Sequence, residues 1–249
     1  MQNRRIMREK KIHIDTLVLE VTKKCNMYCA HCLRGDSQNS NISTEVIDSV
    51  LERTASIGTI VFSGGEPTLN VHAIRYALDA VKQFEIPVYA FYVVINGKVL
   101  PQEFLQVLLD WYVYCISCGG EQDLCGVALS KDMFHEAIPR ENELILEGFS
   151  FFREEDKKTN FRKIPAISRG RARFLVGVPK RDLVCYDISV KDETDSEIAI
   201  EGDVYITTEG YILPFCDNEY AEQKNQAIGS VFAMQEFIDN LSECFAEAQ

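Results

Sequence analysis

The feature that most constrains this chain is a switch of hydrophobic period that repeats along its first half. Residues 16–21 form a short β-branched run and read as a strand. Ser43 stands where it can cap a helix carrying Val46, Ile47, Val50, Leu51 and Ile57 on one face. A strand at 59–63 follows, then a helix over about 71–84 with Ile74, Ala77, Leu78 and Val81 inward. Residues 87–95 are another apolar strand, closed by Asn96-Gly97, and Pro101 opens a helix using Phe104, Leu105 and Leu108. Alternation of this kind requires parallel strands joined by crossover helices.

Beyond Trp111 the rhythm is looser. Residues 112–118 read either as a strand or as an insertion ahead of a strand at 126–130. The second is preferred, because it puts Ser130-Lys131-Asp132 at a strand's C-terminal end. A short helix over 133–138, a mostly helical stretch over 141–158 and strands at 161–167 and 184–190 complete this part. Then the pattern changes: 191–197 is polar and loop-like, and 198–207 and 211–214 form a hairpin about Thr208-Glu209-Gly210. A helix over about 234–246 ends the chain. The expected organisation is one α/β domain over 12–190 and a short extension of hairpin plus helix over 191–249.

Composition narrows the partners. A formal net charge of -12 argues against a nucleic-acid grip, although Arg162-Lys163, Arg169, Arg171, Arg173 and Lys180-Arg181 make a local basic excess. No signal-peptide core and no membrane-length apolar run is present, so a cytoplasmic protein is expected. In a reducing compartment, nine cysteines point to metal or catalytic chemistry before disulfides, and an odd count fits a disulfide framework poorly.

Three of those thiols, Cys25, Cys29 and Cys32, share one loop directly after the first strand. Thiolates are soft ligands for iron–sulfur clusters or zinc. Three complete neither a tetrahedral zinc site nor a four-cysteine cluster, so zinc would need a distant Cys or His31, whose place beside Cys32 makes shared chelation awkward. A three-thiolate [4Fe–4S] cluster leaves one iron open, which is useful only if something else binds there. The second strand ends on Ser63-Gly64-Gly65-Glu66-Pro67, where paired glycines permit positive φ and close backbone approach to a ligand.

The pairing of Cys-Asn-Met-Tyr-Cys-Ala-His-Cys (25–32) with Ser-Gly-Gly-Glu-Pro-Thr-Leu (63–69) resembles the two principal motifs of the radical S-adenosylmethionine (SAM) superfamily. The resemblance is specific over about 17–70 and looser to about 190. It implies a partial (β/α)6, TIM-like barrel holding a [4Fe–4S] cluster on Cys25, Cys29 and Cys32, with SAM on the open iron. Reductive cleavage of SAM would yield a 5′-deoxyadenosyl radical that abstracts a substrate hydrogen, with an electron donor such as flavodoxin or ferredoxin. It further implies His31 near the adenine, Gly64, Gly65 and Glu66 about the methionine amino group, and Asn96 and Ser130 on ribose or carboxylate.

Asp132 and His135 are candidates for orienting substrate or moving a proton, against the alternative of local capping. His13 and His72 read as surface or loop residues. The run Ile167-Ser168-Arg169-Gly170-Arg171-Ala172 stands where a glycine-rich adenine contact is expected. It resembles the Gly-Arg-Ala segment of some peptide-modifying members, and is equally readable as a solvated basic loop. The hairpin ending in Cys216-Asp217 resembles the start of a SPASM domain, shortened. Cys115, Cys118 and Cys125, with Gly119-Gly120, could hold a second metal, joined by Cys185 or Cys216; incidental core thiols are preferred. A peptide or protein substrate is favoured slightly over a small, nucleotide-like molecule, for which Arg169, Arg171 and Arg173 would supply cations. A cluster- or SAM-binding regulator without chemistry and a zinc protein are the remaining alternatives.

Overall fold

A computed structural model describes residues 10–153, 166–177, 180–181 and 188–248. The first strand, β1 (Lys11–Thr22), runs five residues earlier than its apolar core suggests, because Ile12 and Ile14 continue the buried alternation. It carries His13, whose Nδ1 lies 2.7 Å from Ser56 Oγ, so this histidine belongs to the sheet and not to a loop. Ser43 caps α1 (Thr44–Leu51), accepting from the Val46 N–H, and Val46, Ile47, Val50 and Leu51 are buried. Ile57, expected on that helix, instead lies in β2 (Thr54–Gly64).

Helix α2 (Val71–Gln83), which carries His72, leads to β3 (Val88–Ile95). Helix α3 (Gln102–Ser117) absorbs residues 112–117, so that segment is neither a strand nor an insertion. Its buried stripe Phe104–Leu108–Trp111–Cys115 keeps the helical period through the aromatic run, and the Trp111 indole donates to Ile74 O on α2.

Strand β4 (Gly126–Leu129) follows as expected. Residues 133–138 contain turns and bends instead of a helix. Helix α4 (Arg140–Glu147) is shorter than expected and gives way to β5 (Phe152–Arg153). The expected strand at 161–167 lies largely outside the described residues. Its end forms β6 (Ala166–Ile167), paired with β7 (Lys180–Arg181) in a separate small sheet. Most of the candidate at 184–190, with Cys185, also falls outside the described residues. The polar stretch after it is not all loop, because β8 (Ser189–Glu193) pairs antiparallel with β9 (Glu197–Ile206).

The expected hairpin is present: β9 turns at Gly210 into β10 (Tyr211–Leu213), which pairs with β11 (Gly229–Ser230) before α5 (Met234–Ala248). The hairpin does not stand apart, however. Strand β9 lies parallel to β1 from Lys11↔Glu197 to Leu19↔Ile206, so the main sheet runs β11-β10-β9-β1-β2-β3-β4-β5. Six neighbours, β9 through β5, are mutually parallel. The fold is a mixed α/β structure on a parallel sheet, with β1 in the interior, and the chain leaves β1 to β4 at one edge of that sheet. Such carboxyl ends are where open and closed α/β sheets build their sites. Among the described residues, no helix is long and apolar enough to cross a membrane.

Candidate active site

A cavity of about 280 Å³ opens at that edge, lined by Cys25, Cys29, His31 and Cys32 from the loop after β1. Ser63 to Pro67 line it from the end of β2, Asn96 from β3, and Ser130 and His135 from the segment after β4. The sequence candidates therefore converge, and only Asp132 stands behind the wall, bonded to two residues in it.

The cysteine loop is held by its backbone. Lys23 N donates to Ser40 O, Cys25 N to Ser37 Oγ and Cys32 N to Cys29 O, leaving all three thiols half-buried beside the cavity. Burial pushes the Cys25 thiol up, and burial together with the charges of Cys25 and Cys32 pushes Cys29 to about 11. Three neighbouring thiolates form a soft donor set suited to a cation. Beside them His31 Nδ1 and Asn26 Nδ2 are buried without a hydrogen-bond partner. Donor chemistry and unpaired polar atoms both fit an iron–sulfur cluster with a ligand on it.

The glycine pair also has a local role within the chain. A Cβ on Gly64, whose φ is 141°, would lie 2.1 Å from Thr22 O, and one on Gly65 would lie 2.2 Å from Lys24 O. Gly65 N donates to Thr22 O and Glu66 N to Lys24 O. The glycines thus let the β2 end lie flat against the entry of the cysteine loop, and the two motifs dock on each other. Glu66 is buried, with one carboxylate oxygen accepting from Thr68 N and Oγ1 and the other from Asn96 N at 2.8 Å. Burial raises its pKa, and those hydrogen bonds oppose the rise. Asn96 is likewise engaged: its Nδ2 donates to Asn26 Oδ1 and its Oδ1 accepts from Lys98 N.

Asp132, His135 and His31 form one group. His135 Nδ1 lies 2.8 Å from Asp132 Oδ1, His31 Nε2 lies 3.2 Å from Asp132 Oδ2, and the His31 ring stacks on Phe134 at 4.9 Å. Burial would raise the Asp132 pKa, but the bonds from His135 and Phe134 N and the nearby imidazoles outweigh it and lower it. Burial lowers the His31 pKa. These ligand atoms lie within 4.8 Å of one another, yet the carboxylate already bridges both rings.

The expected arginine donors face elsewhere. Arg169 pairs with Glu222, Arg173 with Glu219, and Arg171 bonds the back of the cysteine loop. Among the described residues, no Lys or Arg lines the cavity. Sequence reasoning missed Glu20, a carboxylate inside an apolar strand, which accepts from Tyr205 OH, Thr208 N and Gln223 Nε2. It also missed Arg34, whose guanidinium donates to Asn218 O and Ser63 Oγ and stacks on Tyr205. The charge inside β1 was a readable signal for Glu20, whereas nothing local marks Arg34.

The model of a 4Fe-4S single cluster domain matches residues 16–118. GTP 3′,8-cyclase of Clostridium acetobutylicum is 33% identical over 96 residues, covering 36% of this chain and 30% of that protein. An uncharacterized protein of Methanocaldococcus jannaschii is 29% identical over 66 residues, 25% of this chain and 23% of that one. The chain thus matches less than a third of either curated relative's length. Among solved structures, hexahistidine-tagged anSMEcpe with bound AdoMet superposes with a TM-score of 0.52 at 12% identity, covering 89% of this chain and 79% of that one. That likeness is one of fold.

Proposed function

We infer that this chain, a radical SAM protein, uses Cys25, Cys29 and Cys32 to hold a [4Fe–4S] cluster and initiates hydrogen abstraction on a substrate in the adjoining cavity. The carrying observation is the convergence of three half-buried thiols and the Gly64-Gly65 loop at the carboxyl ends of neighbouring parallel strands. When bound, the cluster and SAM supply reductive cleavage of SAM to methionine and a 5′-deoxyadenosyl radical, with an electron from a flavodoxin- or ferredoxin-like donor. We further propose that the parallel sheet curves as a partial (β/α)6 barrel, which β9 extends beside β1.

The chain's own groups take distinct parts. An amino group needs acceptors, and the N–H groups of Gly65 and Glu66 are occupied by Thr22 and Lys24. Carbonyl oxygens of residues 63–65 are therefore the partners this loop offers a methionine-like amine. Glu66 holds the β3 end through Asn96 N and keeps the floor of the cavity fixed. His31, stacked on Phe134, would pack against the adenine, and Asn96 and Ser130, which line the same cavity, would bond ribose or carboxylate. Asp132, whose pKa is held down, accepts from His135 Nδ1 and fixes the ring so that its other nitrogen is left to orient a substrate.

A peptide or protein substrate is favoured by the setting of the cavity. Its lining lacks a lysine or arginine for a phosphate among the described residues, and its neighbouring segments expose Tyr28, Met133 and Phe174. The likeness to GTP 3′,8-cyclase supports the second reading, a nucleotide-like small molecule. The test is anaerobic reconstitution followed by SAM and dithionite. The expected outcome is 5′-deoxyadenosine formation that disappears on changing any of the three cysteines. An intact cluster that yields none would leave a cluster-binding regulator, and zinc without visible absorbance would replace the cluster altogether.

A further inference from the structure

The back of the cysteine loop is occupied by a segment that is distant in sequence. Residues 170–174 form a short 3-10 turn, GRARF, in which Gly170 and Ala172 are buried. Arg171 N donates to Cys32 O at 2.9 Å, and Arg171 Nε donates to Cys29 O at 3.0 Å. Its Nη1 reaches Gly35 O and Asp36 Oδ1, and the guanidinium lies 4.0 Å over the Tyr28 ring. One residue thereby spans the loop from Tyr28 to Asp36.

The geometry is demanding. Gly170 has φ of 51°, and a Cβ there would meet both Cys32 O and Leu33 O at 2.5 Å. The segment is pinned from outside as well: Glu219 accepts from Gly170 N and pairs with Arg173, while Glu222 pairs with Arg169. The C-terminal region thus presses the turn onto the loop.

We propose that Arg171 is a positioning residue for the cluster, clamping the carbonyls of two of its three cysteine ligands and adding positive charge behind them. This rests on the reading of Cys25, Cys29 and Cys32 as ligands. Cluster potential follows local charge, hydrogen bonding and exposure. The reduced cluster carries one more negative charge, so a fixed guanidinium favours it. Arginine suits the place because its planar fork meets several carbonyls at once, which a lysine ammonium cannot do.

The test is an EPR-monitored redox titration of the reconstituted full-length protein, with iron retention under a chelator as the second readout. Arg171→Gln is expected to shift the reduction equilibrium about tenfold towards the oxidised form, about 59 mV for one electron, and to release iron faster. Arg171→Lys keeps the charge and loses the fork, so its potential stays near wild type while iron is still lost faster. Gly170→Ala displaces the turn without removing charge, and both readouts move. Arg75→Gln, which breaks a pair with Asp110 away from the site, lowers thermal stability without moving the potential. If Arg171→Gln does not fold, Arg171→Lys and Gly170→Ala decide. Folded variants with wild-type potential and wild-type iron retention overturn the proposal. A wild-type chain that never takes up a cluster would instead overturn the functional reading.

Discussion

Two groups of three cysteines occupy opposite ends of the same parallel sheet, each accompanied by a glycine pair. Cys25, Cys29 and Cys32 follow the carboxyl end of β1, half-buried beside a cavity. Cys115 lies in the last turn of α3 and Cys118 and Cys125 between that helix and β4, and Cys115 and Cys125 are fully buried in the main apolar core. A hydrogen bond to Cys125, then burial, pushes the Cys115 thiol up. The glycines do similar work in both places: Gly65 fits against Lys24 O, and Gly120 against Tyr89 O. The difference between the groups is therefore position and access, not residue type, count or neighbouring glycine.

That contrast can be broken most directly by removing thiols. Changing Cys25, Cys29 or Cys32 to Ala is expected to abolish cluster absorbance and reduce bound iron to background, with the fold retained by circular dichroism. Cys115→Ala or Cys125→Ala should leave iron unchanged and lower unfolding free energy by about 1 kcal/mol, as for losing a small buried hydrophobe. Iron loss in the second pair would show that the core thiols are ligands after all.

The glycines sharpen the comparison. Gly65→Ala and Gly120→Ala both force a Cβ onto a carbonyl, at 2.2 Å and 1.9 Å respectively. Each should destabilise by about 1–3 kcal/mol in denaturant unfolding. Only Gly65→Ala should also weaken iron retention, because only that contact joins the β2 end to the cysteine loop. Equal iron loss in both variants would mean that general instability, not docking, controls the cluster.

What the sequence made legible follows the same division. The elements from β1 to β3 and the helices between them show in local periodicity, and the cysteine loop and Gly64-Gly65 show as motifs. Residues whose partners are far away did not show. Residues 112–117 look strand-like in composition, and only the continued spacing to Cys115 marks them as helix. The pairing of β9 with β1 joins segments nearly two hundred residues apart, and no local pattern announces it. Arg171 was legible as part of a Gly-Arg-Ala run, but its contacts with Cys29 and Cys32 depend on tertiary approach. The glycines were legible as sites of close backbone approach, but which segment of the chain lies against them was not.

The smallest expected effect concerns Asp132, which sets the site apart electrostatically from the core thiols. Its folded-state pKa lies below the ordinary 3.8 because hydrogen bonds from His135 and Phe134 N and the nearby imidazoles outweigh burial. A lowered carboxyl pKa contributes stability that is complete above the ordinary value and is lost as pH falls through the folded one. Asp132→Asn should therefore unfold at lower denaturant than wild type near pH 6, with the gap closing below about pH 4. The same variant frees the His135 ring from its anionic partner, so any activity it retains should change its pH profile while iron content stays constant. A gap that persists undiminished at pH 3 would assign the loss to packing, and would remove the ionised carboxylate from the account of how His135 is held.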